Sequence, residues 1–156
     1  AFGCVSARTT MVAFEAWCDE TGYEPVAFEA LDRDGERIYH TNVMLSVGER
    51  VAVVCSACIV DAEDRERVLL ALRNGDRRVI EISMAQMGLF CGNILELVDG
   101  DGRAVFAMSL RAWGGFTVQQ RRVLEDLGTI VAVPIPTIED VGGGSVRCMI
   151  AELGRG

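Results

Sequence analysis

The sequence lacks any run of about 18 consecutive apolar residues, the length that a membrane-spanning helix needs. It also lacks an N-terminal stretch that combines basic residues, an apolar segment and a small-residue cleavage site, so no signal peptide is expected. These two absences predict a cytoplasmic protein with no membrane partner.

Basic residues are the minority among the charges. Fifteen Lys and Arg residues face 23 Asp and Glu residues, for a net charge of −8. Nucleic acids and anionic membranes are bound by clustered basic side chains. The charge pattern therefore excludes nucleic acid as an expected partner and leaves a small molecule.

Histidine is scarcer still, because His40 is the only one. An imidazole is the side chain best suited to acid–base chemistry near neutral pH. Asn42 follows two residues later and can lie on the same side of an extended chain, where it would orient the ring or a substrate. A lone histidine is more often structural, so the functional interpretation needs a second catalytic group.

Cys148 is the candidate for that group, since it follows the segment Gly142-Gly143-Gly144-Ser145. Glycines let a ligand approach the backbone closely, and consecutive N–H groups in such a turn can bind an anion. A thiolate held there, with Arg147 beside it, would be a nucleophile. The alternative is a glycine-rich loop followed by a structural cysteine.

The chain contains six cysteines, and most of them lie in apolar, strand-like segments. Together with the absence of an export signal, this favours reduced thiols over disulfides. Cys55 and Cys58 have the spacing of a redox pair, and burial is the alternative. A zinc site would need another close pair of ligands, and the sequence has none. No metal and no cofactor are therefore expected.

Strand-like runs alternate with amphipathic helical segments along all 156 residues, which predicts a single α/β domain over residues 1–156. The recurring order is two strands, a helix and a strand. It occurs about twice in full, with partial units at both ends. Asn42–Val47 and Val51–Cys55 are expected to pair as a hairpin. Mixed strand directions are expected because hairpins and helical crossovers coexist.

Two further groups of residues lie in or just before a predicted hairpin of strands Asn93–Val98 and Ala104–Met108. Asn93 can hydrogen-bond a polar substrate and Glu96 can bind a cation, although a structural role is the alternative for both. Met84, Met87 and Leu89 form an apolar stripe that predicts core packing rather than a cofactor contact.

Taken together, several segments resemble a known family. They are Tyr39-His40-Thr41-Asn42-Val43-Met44, Val53-Val54-Cys55, Gly92-Asn93-Ile94-Leu95-Glu96-Leu97, Pro134-Ile135-Pro136-Thr137-Ile138-Glu139 and Gly142-Gly143-Gly144-Ser145-Val146-Arg147-Cys148-Met149. In this order they are similar to the C-terminal half of the arginine-deiminase-related, citrulline-utilisation hydrolases, often called amidinotransferases. The likeness extends more distantly to arginine deiminases and dimethylarginine dimethylaminohydrolases.

The resemblance implies a pentein fold, in which five ββαβ units surround a pseudo-fivefold axis as in a propeller, with about three of the five present here. It implies hydrolysis of a C–N bond in a guanidino or ureido compound, through a covalent intermediate on the cysteine. The implied nucleophile is Cys148 and the implied acid–base group is His40. The implied substrate-binding residues are Asn42, Asn93, Gly143, Gly144 and Ser145.

Two departures from the family pattern limit these expectations. Arginine deiminases have Asp two residues after the histidine, where this chain has Asn42, and a neutral amide favours a neutral ureido substrate such as citrulline. The N-terminal half of the family domain, with its acidic substrate ligand, has no counterpart in this sequence. Ala1 begins an apolar, strand-like segment, as a fragment or a processed chain would.

Two alternatives to an enzyme in its own right therefore remain open. One is a non-catalytic fragment or subunit that assembles with a partner chain or with copies of itself to cover exposed sheet edges. The other is a thiol redox protein that uses Cys55 and Cys58.

Overall fold

A computed structural model of the protein describes residues 1–151. The strands in this range are β1 (Phe2–Cys4), β2 (Val26–Phe28), β3 (Leu45–Val47), β4 (Val51–Val54), β5 (Arg78–Glu81), β6 (Leu95–Val98), β7 (Ala104–Ser109) and β8 (Thr129–Val133). The α-helices are α1 (Met11–Thr21), α2 (Ala62–Arg73), α3 (Met84–Met87), α4 (Leu110–Gly115), α5 (Val118–Leu127) and α6 (Pro136–Gly142).

The strands of residues 1–151 form three small sheets. In the second sheet β4 lies between an antiparallel β3 and a parallel β5, and in the third sheet β7 lies in the same way between β6 and β8. In the first sheet β1 and β2 are parallel and are joined through α1. A helix makes each parallel crossover, as this pairing requires. The predicted order of two strands, a helix and a strand is thus present in the second and third sheets.

Local sequence signals explain where the helices begin and end. Thr10 caps α1 by accepting a hydrogen bond from the backbone N–H of Ala13, and Gly22 ends the helix with a φ of 75°. Thr117 and Gln120 form a reciprocal capping box at the start of α5. None of the helices within residues 1–151 is long and apolar enough to cross a membrane.

The hydrophobic core runs along the central strands. All four residues of β4 are buried, and Phe106 on β7 is fully buried. Phe28 on β2 and Leu72 on α2 contribute to the same cluster. Burial on this scale stabilises the sheets at roughly 1.5–3 kcal/mol for each large side chain. The loops that leave this core therefore start from fixed positions.

Two predicted strands begin later than expected, and both differences concern residues of the candidate site. A strand was expected from Asn42, but Thr41–Val43 form a 3-10 turn closed by hydrogen bonds from Val43 N to His40 O and from Met44 N to Thr41 O. Asn93 likewise precedes β6, in a turn in which its backbone N–H donates to the carbonyl of Phe90. Turns of this kind place side chains over an opening, whereas a sheet would alternate them between its two faces.

The predicted core stripe is only partly correct. Met87 is buried and Met84 packs against the core, but Leu89 is 41% exposed. The reason is that α3 ends at Met87, so Leu89 no longer follows the helical spacing.

Candidate active site

A cleft of about 670 Å³ opens where the loops between the sheets meet. The predicted site residues that line it are His40, Asn42, Asn93, Gly143, Gly144 and Cys148. The fold therefore brings the only histidine and Cys148 to one opening. Among the substrate-binding residues implied by the resemblance, Ser145 is the one that does not line the cleft.

Cys148 lies on a 3-10 turn, Val146–Met149, that follows α6 and the glycine run. Val146 is buried and anchors the turn, whereas Cys148 is exposed. Gly143 ends α6 with a φ of 67°, a backbone conformation that favours glycine. At Gly144 a Cβ atom would lie 3.2 Å from the sulfur of Cys148, so glycine at this position leaves room for the thiol.

Two side-chain amides converge on the sulfur. Asn93 Nδ2 lies 3.2 Å from Cys148 Sγ, and Asn42 Nδ2 lies 3.6 Å from it. Asn93 Nδ2 also donates to the backbone carbonyl of Asn42 at 2.9 Å, which links the two loops. Gly92 permits this close approach, because a Cβ atom there would lie 2.6 Å from the carbonyl oxygen of Val43.

His40 stands at the other side of the cleft, immediately before the turn that carries Asn42. The segment is tied to β1 by two hydrogen bonds, from the Cys4 backbone N–H to Thr41 Oγ1 and from Cys4 Sγ to the carbonyl of Ile38. Arg8 Nη1 lies 3.3 Å from His40 Nε2. A guanidinium can only donate, so His40 Nε2 is the acceptor in this contact.

The Arg8 side chain is also held by an aromatic ring. Its guanidinium carbon lies 4.7 Å from the centre of the Tyr39 ring, which in turn meets the His40 ring edge to face at 4.6 Å. Arg8, Tyr39 and His40 thus form one cluster along the wall of the cleft.

A buried carboxylate holds the loop before Cys148. Glu139 on α6 is 4% exposed, accepts a hydrogen bond from Ser145 Oγ at 2.8 Å and pairs with Arg111 Nε at 3.2 Å. Arg111 on α4 also binds Asp140 at 2.7 Å, and this bond raises the pKa of the guanidinium. Ser145 is fully buried in this network. Its side chain positions the loop and does not face the cleft.

Cys55 and Cys58 form a second sulfur site away from solvent. Cys58 Sγ donates to Cys55 Sγ at 3.2 Å and lies 3.5 Å from Met87 Sδ, and both cysteines are buried. The hydrogen bond from Cys58 lowers the pKa of Cys55, and the same bond together with burial raises the pKa of Cys58. In residues 1–151 no group of three or more His, Cys, Asp or Glu side chains is arranged to hold a metal ion.

Burial also determines the state of two other thiols. It raises the pKa of Cys91 to about 12 and raises the pKa of Cys4 above its ordinary value. Both therefore stay protonated near neutral pH. Among the six cysteines, only Cys148 is exposed.

Two predicted contributions to the site are not found in the cleft. Arg147 lines a separate opening together with Glu96, because adjacent residues of the 3-10 turn point in different directions. Glu96 accepts hydrogen bonds from the backbone N–H groups of Arg50 and Val51, so it holds the β3–β4 turn and is not a free cation ligand.

Sequence reasoning missed several residues of the cleft. Arg8 and Phe90 are two of them, and the sequence alone assigned neither a role. Phe90 lines the cleft with a φ of 65°, which is uncommon for an aromatic residue and often accompanies a functional site. The sequence gives no signal for this conformation, because a positive φ is not a local preference of phenylalanine.

Comparisons with known proteins show which family and which fold this chain shares. The family model described as "N,N dimethylarginine dimethylhydrolase, eukaryotic" matches residues 1–155. No curated protein sequence matches the chain. The sequence resemblance favours the citrulline-utilisation type over dimethylarginine hydrolases, whereas the family model that matches describes a dimethylarginine hydrolase.

Solved structures with the same fold include three of the proteins ArgZ and AgrE. Apo ArgZ, an arginine dihydrolase from the ornithine–ammonia cycle in cyanobacteria, is 11% identical with a TM-score of 0.70, over 95% of this chain and 21% of that chain. The ternary complex of AgrE with ornithine and NAD⁺ is 11% identical with a TM-score of 0.70, over 99% of this chain and 21% of that one. A variant of the N-terminal domain of ArgZ covalently bound to a reaction intermediate is 13% identical with a TM-score of 0.69, over 95% of this chain and 49% of that one.

These comparisons confirm the predicted relation to arginine-hydrolysing proteins and the mixed α/β, pentein-like fold. This chain spans about half of the N-terminal domain of ArgZ and about a fifth of the full-length neighbours. The number of propeller units and the position of this segment within a longer domain stay predictions. The match over nearly the whole length, on a fold that gathers His40 and Cys148 in one cleft, places the chain in the N,N-dimethylarginine dimethylhydrolase family.

Proposed function

We propose that this protein is a cysteine-dependent hydrolase that breaks a C–N bond in the guanidino group of an arginine derivative. The observation that carries the proposal is the exposed Cys148 sulfur with two amide donors, in the same cleft as the only histidine. A thiolate nucleophile and an acid–base group are the two elements that this chemistry requires.

In the first half of the reaction the Cys148 thiolate attacks the central carbon of the guanidinium, and a C–S bond forms. The C–N bond to the departing amine then breaks, and protonated His40 supplies the proton that the amine needs to leave. The hydrogen bond from Arg8 Nη1 to His40 Nε2 must break before Nε2 can carry this proton. The product of this step is a thiouronium linked to Cys148.

In the second half the neutral His40 removes a proton from water, and the resulting hydroxide attacks the same carbon. The C–S bond breaks, the thiolate is restored, the hydroxyl proton passes to solvent, and a neutral ureido product leaves. The electron pairs and protons balance without a cofactor. One imidazole serves both steps because it is left neutral by the first and protonated by the second.

Dimethylarginine is the first substrate to test, because the family description names it. Ile38, Val43, Met87 and Phe90 give the cleft apolar walls that suit methyl groups. Arg8 suits the substrate's carboxylate, since its positively charged guanidinium lines the cleft.

A guanidinium is positively charged, and the charges near Cys148 leave a second candidate substrate open. Asp32 brings a carboxylate to the cleft, but its Oδ1 accepts hydrogen bonds from the backbone of Asp34 and Glu36 in its own turn. Asn42 is neutral, and an amide does not compensate a guanidinium. The polarity near Cys148 therefore also suits the neutral ureido group of citrulline.

A substrate panel separates these candidates. The protein that carries this chain is incubated with dimethylarginine, arginine and citrulline, and the released amine or ammonia and the ureido product are measured. We expect dimethylarginine to give dimethylamine and citrulline in equal amounts. If only citrulline releases ammonia, the substrate is a ureido compound and not a guanidino compound. If none of the three releases ammonia or an amine, the proposal that the protein is a hydrolase is wrong.

Cys148→Ser and Cys18→Ser provide the matched pair for this panel. Cys18 is buried in α1 and is not part of the cleft. Its substitution controls for the loss of a thiol as such. Release that continues at the wild-type rate in Cys148→Ser would show that the turnover comes from elsewhere.

A further inference from the structure

The carboxamide of Asn93 is oriented toward the nucleophile in a fixed way. The residue is 2% exposed, and its Nδ2 lies 2.9 Å from the carbonyl oxygen of Asn42. A carbonyl oxygen can only accept, so the nitrogen of the amide, not its oxygen, must face this side. The second N–H of the same nitrogen is then free for Cys148 Sγ at 3.2 Å. The amide oxygen lies farther from the sulfur, at 3.6 Å.

The surrounding backbone keeps this orientation. The Asn93 backbone N–H donates to Phe90 O at 2.9 Å, which closes the turn, and Gly92 allows the turn to touch Val43. Asn42 adds a second, longer donor to the sulfur at 3.6 Å. Donors that are fixed before the reaction act on developing charge without any cost of reorganisation.

We infer that Asn93 is a catalytic residue that acts on the sulfur of Cys148, where its side-chain N–H stabilises the thiolate before the attack. This goes beyond the substrate-binding role expected from the sequence, and it rests on the proposed function for its catalytic meaning. A hydrogen bond to an ionised acceptor is about twice as strong as one to a neutral acceptor, so the amide favours the thiolate over the thiol.

The test uses alkylation of Cys148 by iodoacetamide at neutral pH, with the modified peptide quantified by mass spectrometry. Asn93→Asp is nearly isosteric but removes the N–H and adds a negative charge beside the sulfur. Asn74→Asp is the matched control, because Asn74 is exposed at the end of α2 and its substitution makes the same change in net charge. We expect Asn93→Asp to slow alkylation about 10- to 100-fold and Asn74→Asp to leave it within about twofold.

The other cysteines report whether the variant is folded. All five are buried, so they react only if the chain unfolds, and their peptides are quantified in the same experiment. Should Asn93→Asp expose them, Asn93→Ala is used, which removes the donor without adding a charge. Alkylation of Cys148 at the wild-type rate in a folded Asn93 variant would overturn the inference.

Turnover separates this inference from the proposed function. Thiol reactivity is measured without substrate, so an effect of Asn93→Asp on alkylation stands even if no substrate is turned over. In an active protein we expect kcat to fall while KM stays within about threefold of wild type. An increase in KM with unchanged alkylation would assign Asn93 to the substrate and not to the sulfur.

Discussion

Two places in the molecule hold a cysteine sulfur close to a hydrogen-bond partner, and they differ in access and in the partner's chemistry. Cys148 is exposed in a cleft, with amide N–H groups of Asn42 and Asn93 directed at its sulfur. Cys55 and Cys58 are buried, with each other and Met87 as neighbours. Only the first site can meet a substrate.

The difference shows that sequence spacing is a poor guide to thiol chemistry. The Cys55–Cys58 spacing is the more familiar motif, and it lowers the pKa of Cys55 as a redox pair requires. The core nevertheless closes over both sulfurs, because they follow the fully buried strand β4. Cys148 is not part of a closely spaced cysteine pair. It is accessible because a glycine-rich loop carries it.

The largest expected effect concerns the nucleophile itself. Cys148→Ala should reduce kcat/KM on the substrate found in the panel by at least about 1000-fold, since no covalent intermediate can form. The double variant Cys55→Ser/Cys58→Ser should keep kcat/KM within about tenfold of wild type. Steady-state kinetics on both variants check this, and the reverse pattern would support the redox alternative.

The acid–base group gives the next largest effect. His40→Gln keeps a polar side chain next to Arg8 but cannot transfer a proton, so kcat should fall about 100- to 10,000-fold. Added imidazole should restore part of the rate at saturating substrate. A variant with wild-type kcat would remove His40 from the chemistry and leave Cys148 without its partner.

The loop before Cys148 is held by the ion pair between Glu139 and Arg111, whereas the buried pair Cys55 and Cys58 is not held by charge. Glu139→Gln should lower the free energy of unfolding by about 1–3 kcal/mol, since Arg111 loses its buried partner. Asp140→Asn is the matched control, because Asp140 binds the same Arg111 from an exposed position and its loss should cost at most about 1 kcal/mol. Urea denaturation of the two variants measures the difference, and equal losses would contradict the role of burial.

The pH dependence of the unfolding free energy tests whether burial keeps the thiol of Cys91 protonated. Its pKa is raised from 9.0 to about 12 in the folded protein, so the unfolded chain releases the proton first. The stabilisation is complete below pH 9 and is lost as the pH rises toward 12. Between about pH 8 and about pH 10 the wild type should lose about 1.4 kcal/mol more unfolding free energy than Cys91→Ser. Equal losses in both proteins would show that the thiol is not held protonated.

Local signals in the sequence predict the ends of several helices and one hairpin turn. Thr10 and Gly22 bound α1, Thr117 opens α5, and Asp99-Gly100-Asp101-Gly102 joins β6 to β7. Each of these acts over a few residues, so the chain alone determines it. Helices α3, α4 and α6 were missed, because α3 and α4 are short and α6 begins at a proline within a segment noted only for its resemblance.

The candidate site was predictable in its residue types but not in its contacts. Cys148 and His40 stood out as the cysteine after a glycine run and as the only histidine. The position of Asn93 beside the sulfur depends on Gly92 meeting Val43, a contact between loops about 50 positions apart that no local pattern encodes. Ser145 was expected in the pocket, and its burial follows from Glu139, whose partner Arg111 comes from a distant helix.

The most direct test of the central claim is to trap the covalent intermediate. The protein is mixed with dimethylarginine, quenched in acid within the first turnovers, and digested for peptide mass spectrometry. We expect the peptide that contains Cys148 to carry the mass of the substrate minus dimethylamine, and the peptide with Cys55 and Cys58 to be unmodified. Turnover with no adduct on Cys148, or an adduct on the buried pair, would contradict the account.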